Sequence, residues 1–159
     1  MVGAVDIPDV ASLRDRLGEE IAVSDWIEVT QQRIDRFADA TEDRQWIHTD
    51  PVRAAAESPF ETPIAHGFLT LSLVSVLTRQ ALSFGNVRMA INYGVNRVRF
   101  VSPVPSGTRI RGRFTPIAVA DADGAVQVTW NVTIEREHGD KPCLVAEWIV
   151  RYYPLQSKS

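Results

Sequence analysis

The sequence predicts an α+β domain in which an antiparallel sheet curls around one long helix. Residues 67–82 read GFLTLSLVSVLTRQAL, and this run is apolar on nearly every face. A helix of that kind is expected to be buried on all sides, as the central element of the core. From Arg88 onward the sequence changes to strand-like segments, so that four successive antiparallel strands follow the helix.

The four strand segments have the period of two that a sheet with one buried face requires. They read MAINYGVNRVRFV, TRIRGRFTPIAVA, VQVTWNVTIE and LVAEWIVRYY. In the third segment one face carries only apolar residues, namely Val126, Val128, Trp130, Val132 and Ile134. Asp123-Gly124 and Gly139-Asp140 are predicted to form the hairpin turns.

The elements before the central helix are shorter. Ala11 to Leu17 is predicted as a short helix and Asp25 to Val29 as a short strand. Thr30 is a predicted N-cap for a helix over residues 31–40, because Ile34, Phe37 and Ala38 fall on one face of that run.

Asp50-Pro51 predicts another helix start, with an N-cap followed by proline at the first helical position. This helix is expected to end near Ser58-Pro59. The last residues, Gln156 to Ser159, are expected to be frayed.

Length and charge limit the function classes. The 159 residues suit one domain, taken as residues 1–159, with a single core. The net charge of −3 gives no strong attraction to nucleic acid or to anionic lipid. The N-terminal segment lacks a basic region followed by an apolar run, so we expect a soluble, cytoplasmic protein without membrane partners. The single cysteine, Cys143, is expected to be a small buried hydrophobe.

Such a sheet leaves an exposed edge strand and a half-covered helix. Both features favour pairing with a second copy of the chain, so a homodimer is expected.

Polar and apolar groups are concentrated between Phe37 and Gly67, in the stretch FADATEDRQWIHTDPVRAAAESPFETPIAHG. Asp43 and His48 lie five residues apart, across a break between two predicted helices. Their side chains meet only if the connecting loop folds back. Taken alone, this spacing is a weak signal.

The stretch FADATEDRQWIH resembles the hydratase signature of the MaoC-like family, the (R)-specific enoyl-CoA hydratases. Asp43, Gln45, Ile47 and His48 take the aspartate, asparagine, aliphatic and histidine places of that signature. Downstream, AHGFLTLSL is similar to the family's helix-opening segment, and INYGVNRVRF is similar to the strand that follows. The resemblance spans about residues 26–153, and it implies a hot-dog fold, a homodimer and a coenzyme A or carrier-protein thioester substrate.

The implied reaction adds water reversibly to a trans-2-enoyl thioester and gives an (R)-3-hydroxyacyl thioester. It needs a group that activates water, a proton for C2 and donors for the enolate oxygen. Asp43 and His48 suit the first two tasks, with either residue as acid or base. Gly67 is expected to present its backbone N–H to the thioester carbonyl at the helix start. No cofactor is implied.

Three residues depart from the signature: Glu42 replaces glycine, Gln45 replaces asparagine and Trp46 replaces proline. Gln45 retains an amide that can bond to substrate. Glu42 and Trp46 are bulky enough to reshape the loop or narrow the pocket, which bears on substrate range.

Other assignments stay open at this stage. His66 is either a third group at the substrate or a structural histidine, and Ser72 either lines the pocket or bonds to its own helix. A metal site built from Asp43, His48, Asp50 and His66 matches no standard spacing, so none is expected.

Five arginines alternate along two strands taken as adjacent: Arg97, Arg99, Arg109, Arg111 and Arg113. They form either a strip for the phosphates of the thiol carrier or a solvated outer face, and the solvated face is favoured.

Two alternatives to the hydratase remain. One is a hot-dog thioesterase, which would direct a carboxylate at the carbonyl carbon. The other is a non-catalytic acyl-thioester-binding module, suggested by the altered positions in the signature.

Overall fold

The computed structural model describes residues 3–155 of the chain. Within this part, helices α1 to α5 span Gln31–Thr41, Trp46–Thr49, Pro51–Glu57, Gly67–Ser72 and Val74–Ala81. Strands β1 to β8 span Val5–Ile7, Ala22–Val23, Ile27–Val29, Leu82–Phe84, Val87–Arg99, Thr108–Ala122, Ala125–Arg136 and Leu144–Pro154. A 3-10 helix at Val10–Arg16 occupies the place of the first predicted helix. The expected fraying at Gln156 to Ser159 lies outside the described residues.

Side-chain caps set the starts of two helices, as predicted. The Thr30 hydroxyl accepts a hydrogen bond from the Arg33 N–H at 3.1 Å, at the start of α1. The Asp50 carboxylate accepts from the Arg53 N–H at 2.9 Å, at the start of α3. Each cap satisfies one of the N–H groups that the first turn of a helix leaves unpaired.

The main sheet has six antiparallel strands in the order β2-β6-β7-β8-β5, with β3 also pairing with β6. Strands β1 and β4 form a small parallel pair. The predicted turn joins β6 to β7, with Asp123 at φ 47 and Gly124 at φ 77. Two successive positive φ values suit the twist of a two-residue hairpin.

Strand β5 pairs with β8, and β7 and β8 separate it from β6. The expectation that the first two arginine-bearing strands are adjacent is therefore wrong. The connection from Arg99 to Thr108 contains Pro103 and Pro105, and proline cannot donate to a ladder hydrogen bond. A tight hairpin between β5 and β6 is thus disfavoured.

The inner face of the sheet packs on the central helical segment in one hydrophobic cluster. Val128, Trp130, Val132 and Ile134 of β7 are completely buried, in agreement with the predicted period of two. Leu77 of α5 belongs to the same cluster and is also completely buried. The predicted α+β architecture, with an antiparallel sheet around a central helix, is confirmed.

The central helix differs from the prediction in two respects. It is divided into α4 and α5 at Leu73, whose backbone stays in the right-handed helical region. It is also not buried on all sides, because Phe68 is 67% exposed and Ser72 and Arg79 are exposed. An apolar sequence alone does not show whether the covering surface comes from the same chain.

Strand β5 is an edge of the sheet and has outward apolar side chains. Met89, Ile91, Tyr93 and Val95 are each at least 40% exposed. No helix within residues 3–155 is long and apolar enough to span a membrane.

Candidate active site

The end of α1 turns the chain so that Asp43 and His48 approach each other. Glu42 caps α1 in the left-handed region, at φ 61 and ψ 10, and α2 begins three residues after Asp43. As a result, a carboxylate oxygen of Asp43 and one ring nitrogen each of His48 and His66 all lie within 4.8 Å of one another. The loop folds back as the chemistry of an acid and imidazole pair requires.

His48 is buried on α2, and its ring is fixed by a backbone carbonyl. The Nδ1 atom lies 2.6 Å from the carbonyl oxygen of Ile64. A carbonyl oxygen only accepts hydrogen bonds, so Nδ1 carries the proton and Nε2 of the neutral ring carries the lone pair. His48 thereby presents a proton acceptor.

Gln31 also fixes His48, through the backbone carbonyl of that residue. Its Nε2 donates to the His48 carbonyl oxygen at 2.7 Å and to the Asp35 carboxylate at 2.8 Å. The bond to His48 joins the first turn of α1 to α2. Gln31 was not predicted from the sequence, because nothing in the local pattern shows that it contacts a residue 17 positions away.

The environment of His48 lowers the pKa of its imidazole below the ordinary histidine value of 6.5. Burial is the largest cause, because it disfavours the charged ring, and the nearby His66 acts in the same direction. The Ile64 carbonyl and the Asp43 charge oppose this shift in pKa. The neutral, proton-accepting form of His48 is therefore favoured at pH 7.

His66 lies directly behind this pair, as the residue before α4. Its Nε2 donates to the backbone carbonyl oxygen of Asp43 at 2.9 Å. Its ring stacks on that of His48, with centroids 3.8 Å apart and planes at 25°. Phe37 packs against its edge, with ring centroids 5.0 Å apart.

A cavity of about 300 Å³ opens beside His48 and the start of α4. His48, Gly67, Thr70, Phe60, Phe100 and Cys143 are among its lining residues. Among the described residues, no acceptor pairs with the Gly67 N–H, which leaves this donor available to a ligand. Thr70 was not predicted, although residues three apart on a helix share a face and Gly67 was already a candidate.

Cys143 lines this cavity as an inert group. The side chain is buried, its Sγ lies 3.2 Å from the Ile134 carbonyl oxygen, and burial raises the pKa of the thiol to about 11. A thiol that stays protonated is not a nucleophile at neutral pH. The prediction of a small buried hydrophobe is confirmed.

The structure does not bring Gln45 and Ser72 to this cavity. Gln45 is exposed, and its backbone carbonyl accepts from the His48 N–H at 3.0 Å. The Ser72 hydroxyl donates to the Phe68 carbonyl at 2.7 Å, and Ser72 lines a different cavity, beside β5.

The departures from the signature are accommodated away from the cavity lining. Glu42 is exposed and occupies a left-handed position, where glycine is unstrained. Trp46 is half-buried, and the guanidinium of Arg53 lies 4.4 Å from its ring centroid. Neither side chain is among those that line the cavity beside His48.

Asp43, His48 and His66 are residues of metal-binding type, but the stacked rings suit a metal poorly. Stacked imidazoles direct their in-plane lone pairs side by side. An ion about 2.1 Å from both nitrogens would lie far outside at least one ring plane. Asp50, the fourth residue considered for such a site, instead caps α3 with its carboxylate. The stacking of the two rings therefore argues against a metal ion at this cluster.

Acidic partners neutralise most of the five arginines. Glu137 pairs with Arg109, and Glu135 pairs with both Arg111 and Arg113. Arg97 lies 3.3 Å from the Glu147 carboxylate. Arg99 donates to its own neighbour's carbonyl, that of Val98, at 2.7 Å, and has no acidic partner among the described residues.

Comparisons with known proteins agree on one family. Residues 12–137 match the family model described as a MaoC like domain. 3-hydroxyacyl-thioester dehydratase Z of Mycobacterium tuberculosis (strain CDC 1551 / Oshkosh) is 51% identical over 144 residues, covering 90% of this chain and 95% of the relative. Nodulation protein N of Rhizobium meliloti (strain 1021) is 48% identical over 147 residues, covering 91% of this chain and 89% of the relative.

A solved structure extends the likeness to three dimensions. The (R)-hydratase from A. caviae involved in PHA biosynthesis is 26% identical and has a TM-score of 0.66. The match covers 86% of this chain and 97% of that chain.

Proposed function

Because this chain belongs to the MaoC-like domain family, we propose that it reversibly hydrates trans-2-enoyl thioesters to (R)-3-hydroxyacyl thioesters. Relatives named as a 3-hydroxyacyl-thioester dehydratase and an (R)-hydratase support this hydro-lyase activity and the predicted hot-dog fold. The single observation that carries the proposal is the meeting of the Asp43 carboxylate with the His48 imidazole, within 4.8 Å. The (R) configuration rests on the family alone.

In the proposed mechanism one water lies between the two side chains. The neutral His48 accepts a proton at Nε2 while the water oxygen attacks C3 of the enoyl thioester. The Asp43 carboxylate accepts a hydrogen bond from the other O–H of the water, which stays on the oxygen as the 3-hydroxyl, and it stabilises the imidazolium that forms. The imidazolium then returns the proton to C2. The sum of these steps is the addition of one water, and the reverse sequence is dehydration.

The negative charge that develops on the thioester oxygen needs a donor. The backbone N–H of Gly67 has no acceptor among the described residues and borders the same cavity as His48. A donor already in place when charge develops stabilises the transition state more than the ground state. We assign the oxyanion role to this N–H.

The thiol carrier is proposed to be coenzyme A or a carrier protein, and no cofactor takes part. Of the remaining substrate-binding candidates, His66 lies against the proposed pair, whereas Gln45 and Ser72 are placed elsewhere. Thr70 is buried on the helix face that borders the cavity and is the better candidate for a polar contact to substrate.

A homodimer through β5 is part of the proposal. The outward side chains Met89, Ile91, Tyr93 and Val95 are exposed on an edge strand, where a second copy can add its own β5. Ile91→Lys is expected to yield a monomer by light scattering. A wild-type chain that is monomeric at micromolar concentration would contradict this part.

The activity assay is the loss of the enoyl-thioester ultraviolet absorbance on adding protein, over a series of chain lengths. Asp43→Asn and His48→Gln are each expected to abolish this loss while the folded dimer persists. Asp140→Asn and His138→Gln are matched controls, because both residues are exposed and lie outside the cluster. Both control variants should retain activity.

The same assay separates the alternatives. Release of free thiol without hydration would support a hot-dog thioesterase. A folded wild-type protein that binds acyl thioesters but is inert at every chain length would support the binding module.

A further inference from the structure

His66 connects the two groups that the proposed mechanism uses. It is 3% exposed and is enclosed by Asp43, His48 and Phe37. It is not among the residues lining the cavity beside His48. Its position indicates an action through its neighbours rather than on the substrate.

The bond from His66 acts on the Asp43 backbone itself, whereas Asp39 and Thr49 hold the neighbouring residues of the same loop. Within residues 3–155, the Nε2–H of His66 is the only hydrogen-bond partner of Asp43, through the Asp43 carbonyl oxygen. Asp43 itself is exposed, in a loop between α1 and α2. Without this bond, no hydrogen bond among the described residues would hold Asp43 opposite the buried imidazole.

The same bond fixes the tautomer of His66. The Asp43 carbonyl accepts, so the proton is on Nε2 and the lone pair of the neutral ring is on Nδ1. Nδ1 is buried and has no partner among the described atoms.

We propose that His66 is a positioning residue that sets Asp43 and His48 in register: its Nε2–H holds the Asp43 backbone and its ring face supports the His48 ring. The inference rests on the proposed function only in taking Asp43 and His48 as the reacting pair. A misplacement of about 1 Å between reacting groups can lower a rate about 100-fold.

Two amide variants separate the donor from the bulk of the side chain. The amide nitrogen of glutamine superimposes on Nε2 of histidine, whereas that of asparagine superimposes on Nδ1. His66→Gln therefore retains a donor toward Asp43, and His66→Asn loses it. We expect kcat to fall about 10- to 100-fold in His66→Asn, with KM changed less than threefold, and His66→Gln to recover at least fivefold in kcat.

Thr49→Val is the matched control. It removes a hydroxyl that bonds the carbonyls of Arg44 and Gln45 in the same loop, and it touches neither Asp43 nor His48. Equal kcat values for the glutamine and asparagine variants, at equal melting temperatures, would overturn the inference. An inactive wild-type chain would instead contradict the proposed function.

Discussion

The Nδ1–H of His48 donates to the Ile64 carbonyl oxygen across 2.6 Å, and this bond decides which ring nitrogen can accept a proton. Ile64 is held in turn by a bond from its own N–H to the Ile47 carbonyl, at 3.0 Å. The orientation of the imidazole is thus set by two backbone segments. Its chemistry is set by burial, which keeps the ring neutral.

The lowered pKa of His48 predicts how stability depends on pH. The unfolded chain titrates this ring near 6.5, whereas the folded chain titrates it below that value. As the pH falls through 6.5, the unfolded state binds more protons, so the free energy of unfolding decreases. In urea titrations at pH 7.5, 6.5 and 5.5, the free energy of unfolding should decrease less steeply with falling pH in His48→Gln than in wild type. His138→Gln, an exposed control, should keep the wild-type slope, and identical slopes in all three proteins would refute the prediction.

The left-handed backbone at Glu42 predicts that a glycine at this position would stabilise the protein. A non-glycine residue in the left-handed region costs about 1–2 kcal/mol, and glycine costs about 0.5–1 kcal/mol through the unfolded chain. Glu42→Gly should therefore raise the free energy of unfolding by about 0.5–1 kcal/mol in urea titrations, with kcat/KM within twofold of wild type. Glu61, exposed at φ 57, offers a second site of the same kind outside the signature. A loss of stability in both variants would contradict the strain argument.

The position of Arg99 predicts that it helps to bind the thiol carrier of the substrate. It lacks an acidic partner among residues 3–155 and is adjacent to Phe100, which lines the cavity. Arg99→Ala should raise KM for a coenzyme A substrate about 3- to 10-fold, leave kcat unchanged and weaken the dependence of KM on salt. Arg109→Ala is the control, because Glu137 pairs with Arg109 and β6 is separated from β5. Equal KM values for Arg99→Ala and wild type would assign this residue to the solvated face.

The parts of the fold that depend on local chemistry were predictable from the sequence. Thr30 and Asp50 cap their helices as predicted, and the alternation around Trp130 gives the buried face of β7. The pairing of β5 with β8 was not predictable, because the paired residues lie 46 to 67 positions apart. The alternation of apolar and polar residues in these strands does not specify which strand lies beside which. The exposed face of α4 at Phe68 was missed for a related reason, since hydropathy does not show what covers a surface.

The residues of the candidate site also differ in whether the local sequence indicates them. Asp43 and His48 were predicted from a motif that is continuous in the sequence, and Gly67 was predicted from its place at the start of the central helix. Gln31 and the Ile64 carbonyl, which orient His48, contact it from 17 and 16 residues away. A backbone carbonyl has no signal in the sequence, so the tautomer of His48 could be assigned only from the structure.

The surroundings of Gly67 predict that an alanine at this position lowers activity more than it lowers stability. A Cβ at this position would lie 2.9 Å from three ring atoms of Phe100, so the ring must shift. Phe100 is 47% exposed and borders the cavity, which means that it can move at small cost in stability but only by changing the cavity next to the free N–H. Gly67→Ala should therefore lower kcat/KM about 10-fold and change the free energy of unfolding by less than about 1 kcal/mol. The coupled variant Gly67→Ala/Phe100→Ala tests the cause, because removing the ring removes the clash. It should be no less active than Phe100→Ala alone, and a further 10-fold loss would show that the methyl group acts directly on the substrate instead of through Phe100.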